Sequence, residues 1–440
     1  MVSLLLAIVF RVPNRVPVTT IPLNRLAVIA AIIGVGTGLF VAALNWSAIG
    51  VERLVYGADH LHNQNPVANV SPLRLSITVV VLSVVASWAW FFVHRTGCKE
   101  VSIVGAVRGE KMPIIETIAS AFLQVTTVAA GAPVGAENAP RIAGALVGER
   151  FTRWLQLDID AKRILVASAA GAGLGASFHL PLAGVLFALE VLLVEASTRT
   201  VVIAIITTTA AVATTGFFVQ TPDVFSTVPL TESPWMLFAA MVTGVVAGIC
   251  GHWFSAAAHK MAQASPKGVK ILWQMPLGFL AIAVVIYFFP ETLANPRWLA
   301  DSMLGDGLIL GTILLVLVLR TAMFLLAFRV GMVGGNLIPA FALGAMVGGV
   351  VGAILEPMTN VPIAAFALLG AAAFLSTTMA APLFGLIAAV EFTDMEAQGY
   401  LPIFLAVASA VLAVRVWSVV SRRELRAIPI TYASWTGELK

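Results

Sequence analysis

Charged residues are scarce in this sequence. Only 11% of its 440 residues are Asp, Glu, Lys or Arg, whereas 59% are hydrophobic. A soluble domain carries about 25% charged residues, so the composition excludes an ordinary soluble protein. We therefore predict a multi-pass membrane protein with the lipid bilayer as its surroundings, and we expect it in the inner (plasma) membrane of the cell.

Cysteine and clustered charge are also lacking. The two cysteines, Cys98 and Cys250, do not make a disulfide framework, and no CxxC or HExxH spacing for a metal occurs. The formal net charge of +4 is small and the basic residues are scattered, so nucleic acid is not an expected partner. The basic excess fits cytoplasmic loops and anionic lipid headgroups. No cofactor and no metal is predicted.

Long apolar runs suggest two similar halves. Residues 26–44 form the first predicted span, and the polar stretch at residues 45–74 is predicted to be a loop. Several later apolar runs are too short to cross upright, since crossing takes about 20 residues. The expected fold is therefore all-α, with broken, re-entrant and short helices and no added soluble (CBS) domain. The predicted parts are a membrane half-repeat over residues 1–220, a second half-repeat over residues 221–420 and a cytoplasmic tail over residues 421–440.

A glycine-rich motif occurs twice. Residues 131–148 are GAPVGAENAPRIAGALVG, and residues 331–348 are GMVGGNLIPAFALGAMVG. Gly135 matches Gly335, and the matches continue towards the end of each copy. Two such copies in one chain favour an internal duplication over chance similarity between Ala/Gly-rich helices.

A second pair of motifs supports the duplication. Glu190 follows Pro181 at the same separation at which Glu391 follows Pro382, and the offset between these copies nearly equals that of the glycine-rich motifs. Two motifs at almost one offset argue for duplication far better than either does alone. We therefore expect an inverted-topology repeat.

Both glycine-rich copies are expected to interrupt a helix, because each contains prolines as well as glycines. Irregular backbone at membrane depth is tolerated only inside protein or along a water-filled cavity. Each break leaves free N–H groups at the start of the next helix, where the helix dipole adds partial positive charge. Two such helix starts that meet would bind an anion. The simpler interpretation, that the glycines only allow close helix packing, does not explain the prolines.

Glu137 is the strongest single candidate for a functional residue. Asn336 stands at nearly the same place in the second copy of the motif. A carboxylate inside the membrane is unfavourable by about 2.5–3.5 kcal/mol. At the N-terminus of a helix, the helix dipole offsets part of this unfavourable free energy. A carboxylate at that place competes with any bound anion. A group that is held when charged and released when protonated can gate an anion path and carry a proton. The alternative is a glutamate that caps its helix at the membrane surface.

These residues resemble the CLC chloride channel and transporter family, as a divergent prokaryotic member. The family's Gly-x-Glu-Gly-Pro motif is similar to residues 135–139, which keep the glycine and Glu137 but have their proline one place later, at Pro140. The Gly-x-Phe-x-Pro motif resembles Gly-Asn-Leu-Ile-Pro at residues 335–339. The family's Ala-Pro-Leu-x-Gly helix starts resemble residues 180–184 and 381–385.

The resemblance implies a homodimer with one pore in each subunit and with chloride or another halide as the transported ion. Glu137 would be the gate and would handle protons. The backbone N–H groups of Asn336 and Leu337 would hold the anion, with Gly135 and Gly335 also at the anion-binding site.

Three positions depart from the family pattern. Cys98 stands where the family has a serine hydroxyl near the anion. Tyr432 is the nearest candidate for the tyrosine that closes the inner side. The inner proton-handling glutamate of the exchangers falls on Val191, beside Glu190. Glu190 or Glu195 could substitute for it, although Glu190 could instead be a structural helix residue like Glu391.

Several functions stay open at this point. Chloride transport, by a channel or by an anion/proton antiporter, comes first, and a fluoride/proton antiporter comes second because Asn-Leu-Ile-Pro resembles the fluoride-exporting branch. An intramembrane enzyme is disfavoured, since the only close Ser/His pair, Ser177 and His179, does not share a helix face. A cation carrier would need more carboxylates in the motif than Glu137.

Overall fold

Helices make up most of the described part of the computed structural model. The structure describes residues 21–57, 70–95, 101–220, 225, 228–230, 232–293, 303–304, 310–395 and 399–421, and within these ranges the only extended pairing is one isolated β-bridge. Eight helices in the described ranges are long and apolar enough to cross a membrane. The all-α membrane fold expected from the sequence is confirmed.

The helices fall into two series. Those of the first half are α1 (Leu23–Tyr56), α2 (Pro72–Arg95), α3 (Ile103–Val107), α4 (Ile114–Ala129), α5 (Asn138–Trp154), α6 (Ile159–Phe178), α7 (Pro181–Leu186), which continues as the π-helical segment Phe187–Leu193, and α8 (Thr198–Phe218). Those of the second half are α9 (Pro234–Gln263), α10 (Ile271–Phe288), α11 (Leu310–Arg329), α12 (Leu337–Thr359), α13 (Ile363–Thr378), α14 (Pro382–Thr393) and α15 (Tyr400–Val420).

The packing of the second series repeats that of the first. Helix α5 packs on α6 as α12 packs on α13, and α1 packs on α8 as α9 packs on α15. Corresponding helices also face each other across the two halves, since α2 contacts α10 and α7 contacts α14. Such contacts between equivalent elements are those of two units related by a two-fold axis.

The core lies around α6 and α13, which are buried along most of their length. Both are rich in alanine and glycine, so neighbouring backbones come very close. A Cβ atom added at Gly348 would lie 2.1 Å from the carbonyl oxygen of Phe366, and one added at Gly173 would lie 2.0 Å from that of Pro140. Small residues at helix contacts permit this approach and supply the packing that lipid cannot drive.

The first helix is longer than the sequence suggested. The predicted loop at residues 45–74 is wrong in its first part, because α1 continues to Tyr56 and ends at Gly57. Gly57 has a φ of 78°, and its N–H donates to the carbonyl of Arg53. This left-handed glycine cap, and not the end of the apolar run, sets where the helix stops.

The carboxylate of Glu190, in the π-helical segment of the first half, caps a helix of the second half. It accepts hydrogen bonds from the backbone N–H groups of Leu383 at 3.1 Å and Phe384 at 2.7 Å, in the first turn of α14. The first N–H groups of a helix have no partner within the helix, so a carboxylate there satisfies them and favours the dipole.

Glu391 makes the same contact in the opposite direction. Its carboxylate accepts from the N–H groups of Leu182 at 2.8 Å and Ala183 at 2.7 Å, in the first turn of α7. Glu190 and Glu391 therefore exchange caps between the halves. Glu190 has the structural environment of Glu391, which is the second of the two interpretations that the sequence allowed for it.

The close approach of α12 and α13 makes Gly348→Ala destabilising. The added methyl group meets backbone that cannot rotate away, so the helices must separate, and overpacking of this kind lowers the free energy of unfolding by about 1–3 kcal/mol. The measurement is the thermal unfolding midpoint in detergent. Gly50→Ala is the control, because a Cβ at Gly50 meets nothing within 4 Å. An unchanged midpoint for Gly348→Ala would contradict the packing described here.

Because the two glutamates exchange caps, Glu190→Gln and Glu391→Gln are expected to lower the stability of the protein by equal amounts. A glutamine has one acceptor oxygen and no charge, so each variant loses one N–H bond and the dipole interaction, about 1–3 kcal/mol of stability. Thermal unfolding in detergent measures both, with the exposed Glu291 changed to Gln as the control. If Glu391→Gln destabilises the protein and Glu190→Gln does not, the two glutamates do not share one role.

Candidate functional site

The two glycine-rich motifs meet at the start of α5 and α12. Gly135 N–H donates to the carbonyl of Gly335 at 2.9 Å, and Gly335 N–H donates to the carbonyl of Gly135 at 2.6 Å. This antiparallel bridge joins the two residues that the repeat makes equivalent. It pairs the backbone N–H and carbonyl groups of these two glycines and brings two helix starts together, as the sequence predicted.

Glu137 stands at the N-cap position of α5 and is fully buried, with 0% of its surface exposed. Its side chain makes no cap bond within its own helix. Instead, Oε1 accepts a hydrogen bond from the backbone N–H of Leu337, the first residue of α12. The interpretation of Glu137 as a cap at the membrane surface is therefore not what the structure has.

The glycines of the bridge form a cradle for this carboxylate. A Cβ atom at Gly135 would lie 2.0 Å from Oε2 of Glu137, and one at Gly335 would lie 2.2 Å from Oε1. Any larger residue at either position would occupy the space that the carboxylate fills. Glycine is therefore required here for close approach of the carboxylate oxygens to the backbone.

Two polar atoms at this place remain unpaired. Among the described residues, Oε2 of Glu137 and Nδ2 of Asn336 are buried and have no hydrogen-bond partner. Asn336 is the N-cap residue of α12 and is 2% exposed. Buried polar groups are nearly always paired, whereas the Asn336 amide is a donor that has no acceptor among the described residues.

Arg141 is a residue of this site that the sequence reasoning missed. It is 5% exposed, and its Nε donates to the backbone carbonyl of Glu137 at 2.8 Å. Its Nη2 lies 3.9 Å from Oε1 of Glu137. The signal was present, because a basic residue four positions after Glu137 in an apolar helix shares its face.

A chain of side-chain hydrogen bonds connects the start of α5 to α4. The side-chain amide of Asn138 donates to Oε1 of Gln124 at 2.9 Å, and Nε2 of Gln124 donates to the hydroxyl of Ser120 at 3.0 Å. All three residues are buried. The chain ties α5 to α4, and so holds the helix start that carries Glu137 in place.

The structure brings some of the predicted site residues together and leaves others apart. Gly135, Glu137, Gly335, Asn336 and Leu337 meet at the bridge.

The other candidates lie elsewhere in the chain. The oxygens of Glu190 are engaged by the start of α14 and not by this site. Val191 is half-buried in the π-helical segment. Cys98 and Tyr432 lie outside the described residues.

The site has the chemistry of an anion receptor. The N–H at the start of α12 and the Arg141 guanidinium both face one place, and the Glu137 carboxylate occupies it. Such a site holds either the carboxylate or a free anion of similar size, but not both, since two negative charges would repel each other there.

Comparisons with known proteins identify the family and the fold. Residues 78–415 match the family model described as voltage gated chloride channel. The fold is similar to that of a slow cyanobacterial Cl⁻/H⁺ antiporter, at 20% identity and a TM-score of 0.74, with 91% of this chain and 97% of that chain covered.

Two further solved structures have the same fold. One is a CLC-type fluoride/proton antiporter, at 18% identity and a TM-score of 0.66, with 90% of this chain and 96% of that chain covered. The other is a eukaryotic CLC transporter, at 18% identity and a TM-score of 0.72, with 90% of this chain and 72% of that chain covered. Since the family model matches residues 78–415, which is well over half of the sequence, the chain belongs to the voltage gated chloride channel family.

Proposed function

We propose that the protein moves a halide anion across the membrane, chloride first, and that Glu137 is its gate. The observation that carries the proposal is the carboxylate itself. It is an anion, it is bound by the Leu337 N–H at the start of α12, and it lies in the cradle of Gly135 and Gly335. A chloride ion that takes its place meets the same donor and the same space.

The proposed cycle follows from the charge of Glu137. The ionised carboxylate holds the Leu337 N–H and excludes the anion. Protonation removes its negative charge and weakens it as an acceptor, so the side chain leaves and an anion can bind. Each exchange of carboxylate for anion therefore involves one proton, and this proton comes from and returns to solution through the movement of Glu137.

Whether the proton crosses the whole membrane separates an antiporter from a channel. An antiporter needs a second group that passes the proton on towards the other side. The family's inner glutamate position is Val191 here, and Glu190 is a poor substitute because both of its oxygens bind the start of α14. If proton movement is coupled to anion movement, the proton would then pass through Glu137 and water. If the two movements are not coupled, the protein is a channel.

Fluoride is the second candidate. The unpaired amide of Asn336 is a directed donor, and such donors suit a small, strongly accepting anion. The similar fold of a CLC-type fluoride/proton antiporter supports considering this ion.

We also propose that the protein is a homodimer in the plasma membrane, with a separate pore in each subunit. This proposal rests on the family resemblance alone. It puts one Glu137 gate in each subunit, so each copy of the site can work without its partner.

The test is anion efflux from liposomes that contain the purified full-length protein. Vesicles are loaded with KCl or KF, valinomycin clamps the voltage, and internal pH is recorded with the anion flux. Chloride efflux that exceeds fluoride efflux is expected for the wild type. In Glu137→Gln, which cannot ionise, the protons moved per anion fall by at least about tenfold, or the flux stalls.

The matched control is Glu356→Gln, which removes a carboxylate near the far end of α12 and leaves flux unchanged. Fluoride efflux that drives proton movement, with chloride nearly excluded, would move the assignment to the fluoride antiporter. Absence of flux for both ions would refute anion transport. A cation-dependent flux without anion dependence would select a cation carrier instead.

A further inference from the structure

Arg141 places a full positive charge beside the gate. Its Nε bond to the Glu137 carbonyl turns the side chain back along α5, and Nη2 reaches within 3.9 Å of the Glu137 carboxylate. The residue is 5% exposed, so water contributes little to its solvation. The carboxylate of Glu137 is the charge that compensates it.

An aromatic ring holds the guanidinium in this position. Cζ of Arg141 lies over the ring of Phe187 at 5.2 Å from its centroid. Phe187 is itself buried, and its ring packs edge-on against Phe384 with centroids 5.7 Å apart. The ring face attracts a cation, but it carries no net charge and so cannot neutralise the arginine.

The opening of the gate therefore leaves a positive charge that is not balanced by a negative one. Among the described residues, Glu137 is the carboxylate that pairs with Arg141. When a protonated Glu137 leaves Leu337, the buried arginine loses this counter-charge, and leaving one member of a buried ion pair alone is strongly unfavourable. An anion bound where Oε1 stood would accept from the Leu337 N–H and would lie about as far from Nη2 as Oε1 does, 3.9 Å. That anion restores the balance.

We propose that Arg141 is the counter-charge of the transported anion: it pairs with Glu137 when the gate is closed and with the bound anion when the gate is open. The proposal rests on the function proposed above and adds a residue to the binding site. Backbone N–H groups and the Asn336 amide supply only partial charges. Arg141 supplies a whole one, so an emptied site strongly favours refilling by an anion.

A purely structural role for Arg141 makes a different prediction. If the residue only supports the start of α5 through its bond to the Glu137 carbonyl, its charge is irrelevant to anion affinity. The two roles are separated by a variant that keeps the charge and a variant that removes it, both measured for anion binding.

The experiment uses full-length protein with Glu137→Gln, which frees the site of its own carboxylate. Sodium chloride and sodium fluoride are titrated by calorimetry, and the rise of the thermal unfolding midpoint with anion concentration gives a second reading of affinity. Adding Arg141→Met should weaken binding of the preferred anion by at least about tenfold, which corresponds to about 1.4 kcal/mol. Adding Arg141→Lys should keep affinity within about threefold.

Two further variants complete the design. Arg320→Met removes another buried arginine, which donates to the Thr292 carbonyl, and should leave affinity unchanged. Arg141→Gln keeps a donor for the Glu137 carbonyl without the charge, and it replaces Arg141→Met if that variant is not monodisperse. It should weaken binding to the same extent.

Each contrary outcome has a separate meaning. If Glu137→Gln binds neither anion, the proposed function fails. If it binds an anion and Arg141→Met or Arg141→Gln binds equally well, only the role of Arg141 fails. If Arg141→Lys and Arg141→Met lose equal affinity for the anion, the shape of the side chain matters and not its charge, and the proposal fails. If Arg320→Met loses as much affinity, the effect is a general one of buried charge, and the proposal fails as well.

Discussion

Two helices that begin inside the protein need acceptors for their first N–H groups, and the rest of the structure follows from that need. Away from water, no solvent molecule can serve, so the acceptors come from the chain itself. The starts of α5 and α12 meet at the bridge between Gly135 and Gly335, and the Glu137 carboxylate takes the Leu337 N–H. Structure and proposed function thus depend on the same donors, because an anion can satisfy them as a carboxylate does.

Glu190 and Glu137 both accept hydrogen bonds from the first N–H groups of a helix, but they differ in how easily another acceptor can replace them. Glu190 binds two N–H groups of α14 with its two oxygens, so both oxygens are engaged. Glu137 engages its donor through Oε1, while Oε2 lacks a hydrogen bond among the described residues. A carboxylate held through one oxygen is easier to displace. The same residue type thus serves as a fixed cap at one helix start and as a movable occupant at the other.

Much of this arrangement could be predicted from the sequence. The glycines and prolines of the two motifs located the helix breaks, and the duplication indicated that Gly135 and Gly335 are equivalent. Local signals say less about partners that are distant in sequence: nothing near Glu190 specifies that its oxygens bind the start of α14. Arg141 also went unpredicted, although its position four residues after Glu137 puts both on one face of α5 and helical side chains point back towards the N-terminus. The sequence does not show that the Glu137 carboxylate crosses to the start of α12 and stays close to that arginine.

The exchange of caps between α7 and α14 has a consequence for the origin of the chain. Glu190 supports the half in which Glu391 stands, and Glu391 supports the half in which Glu190 stands. A half-length protein that paired with an oppositely oriented copy of itself would have made both bonds already, once from each copy. In such a pair, a linker alone would join the two copies into one chain, and each half could then change on its own, as Glu137 and Asn336 now differ at nearly equivalent places.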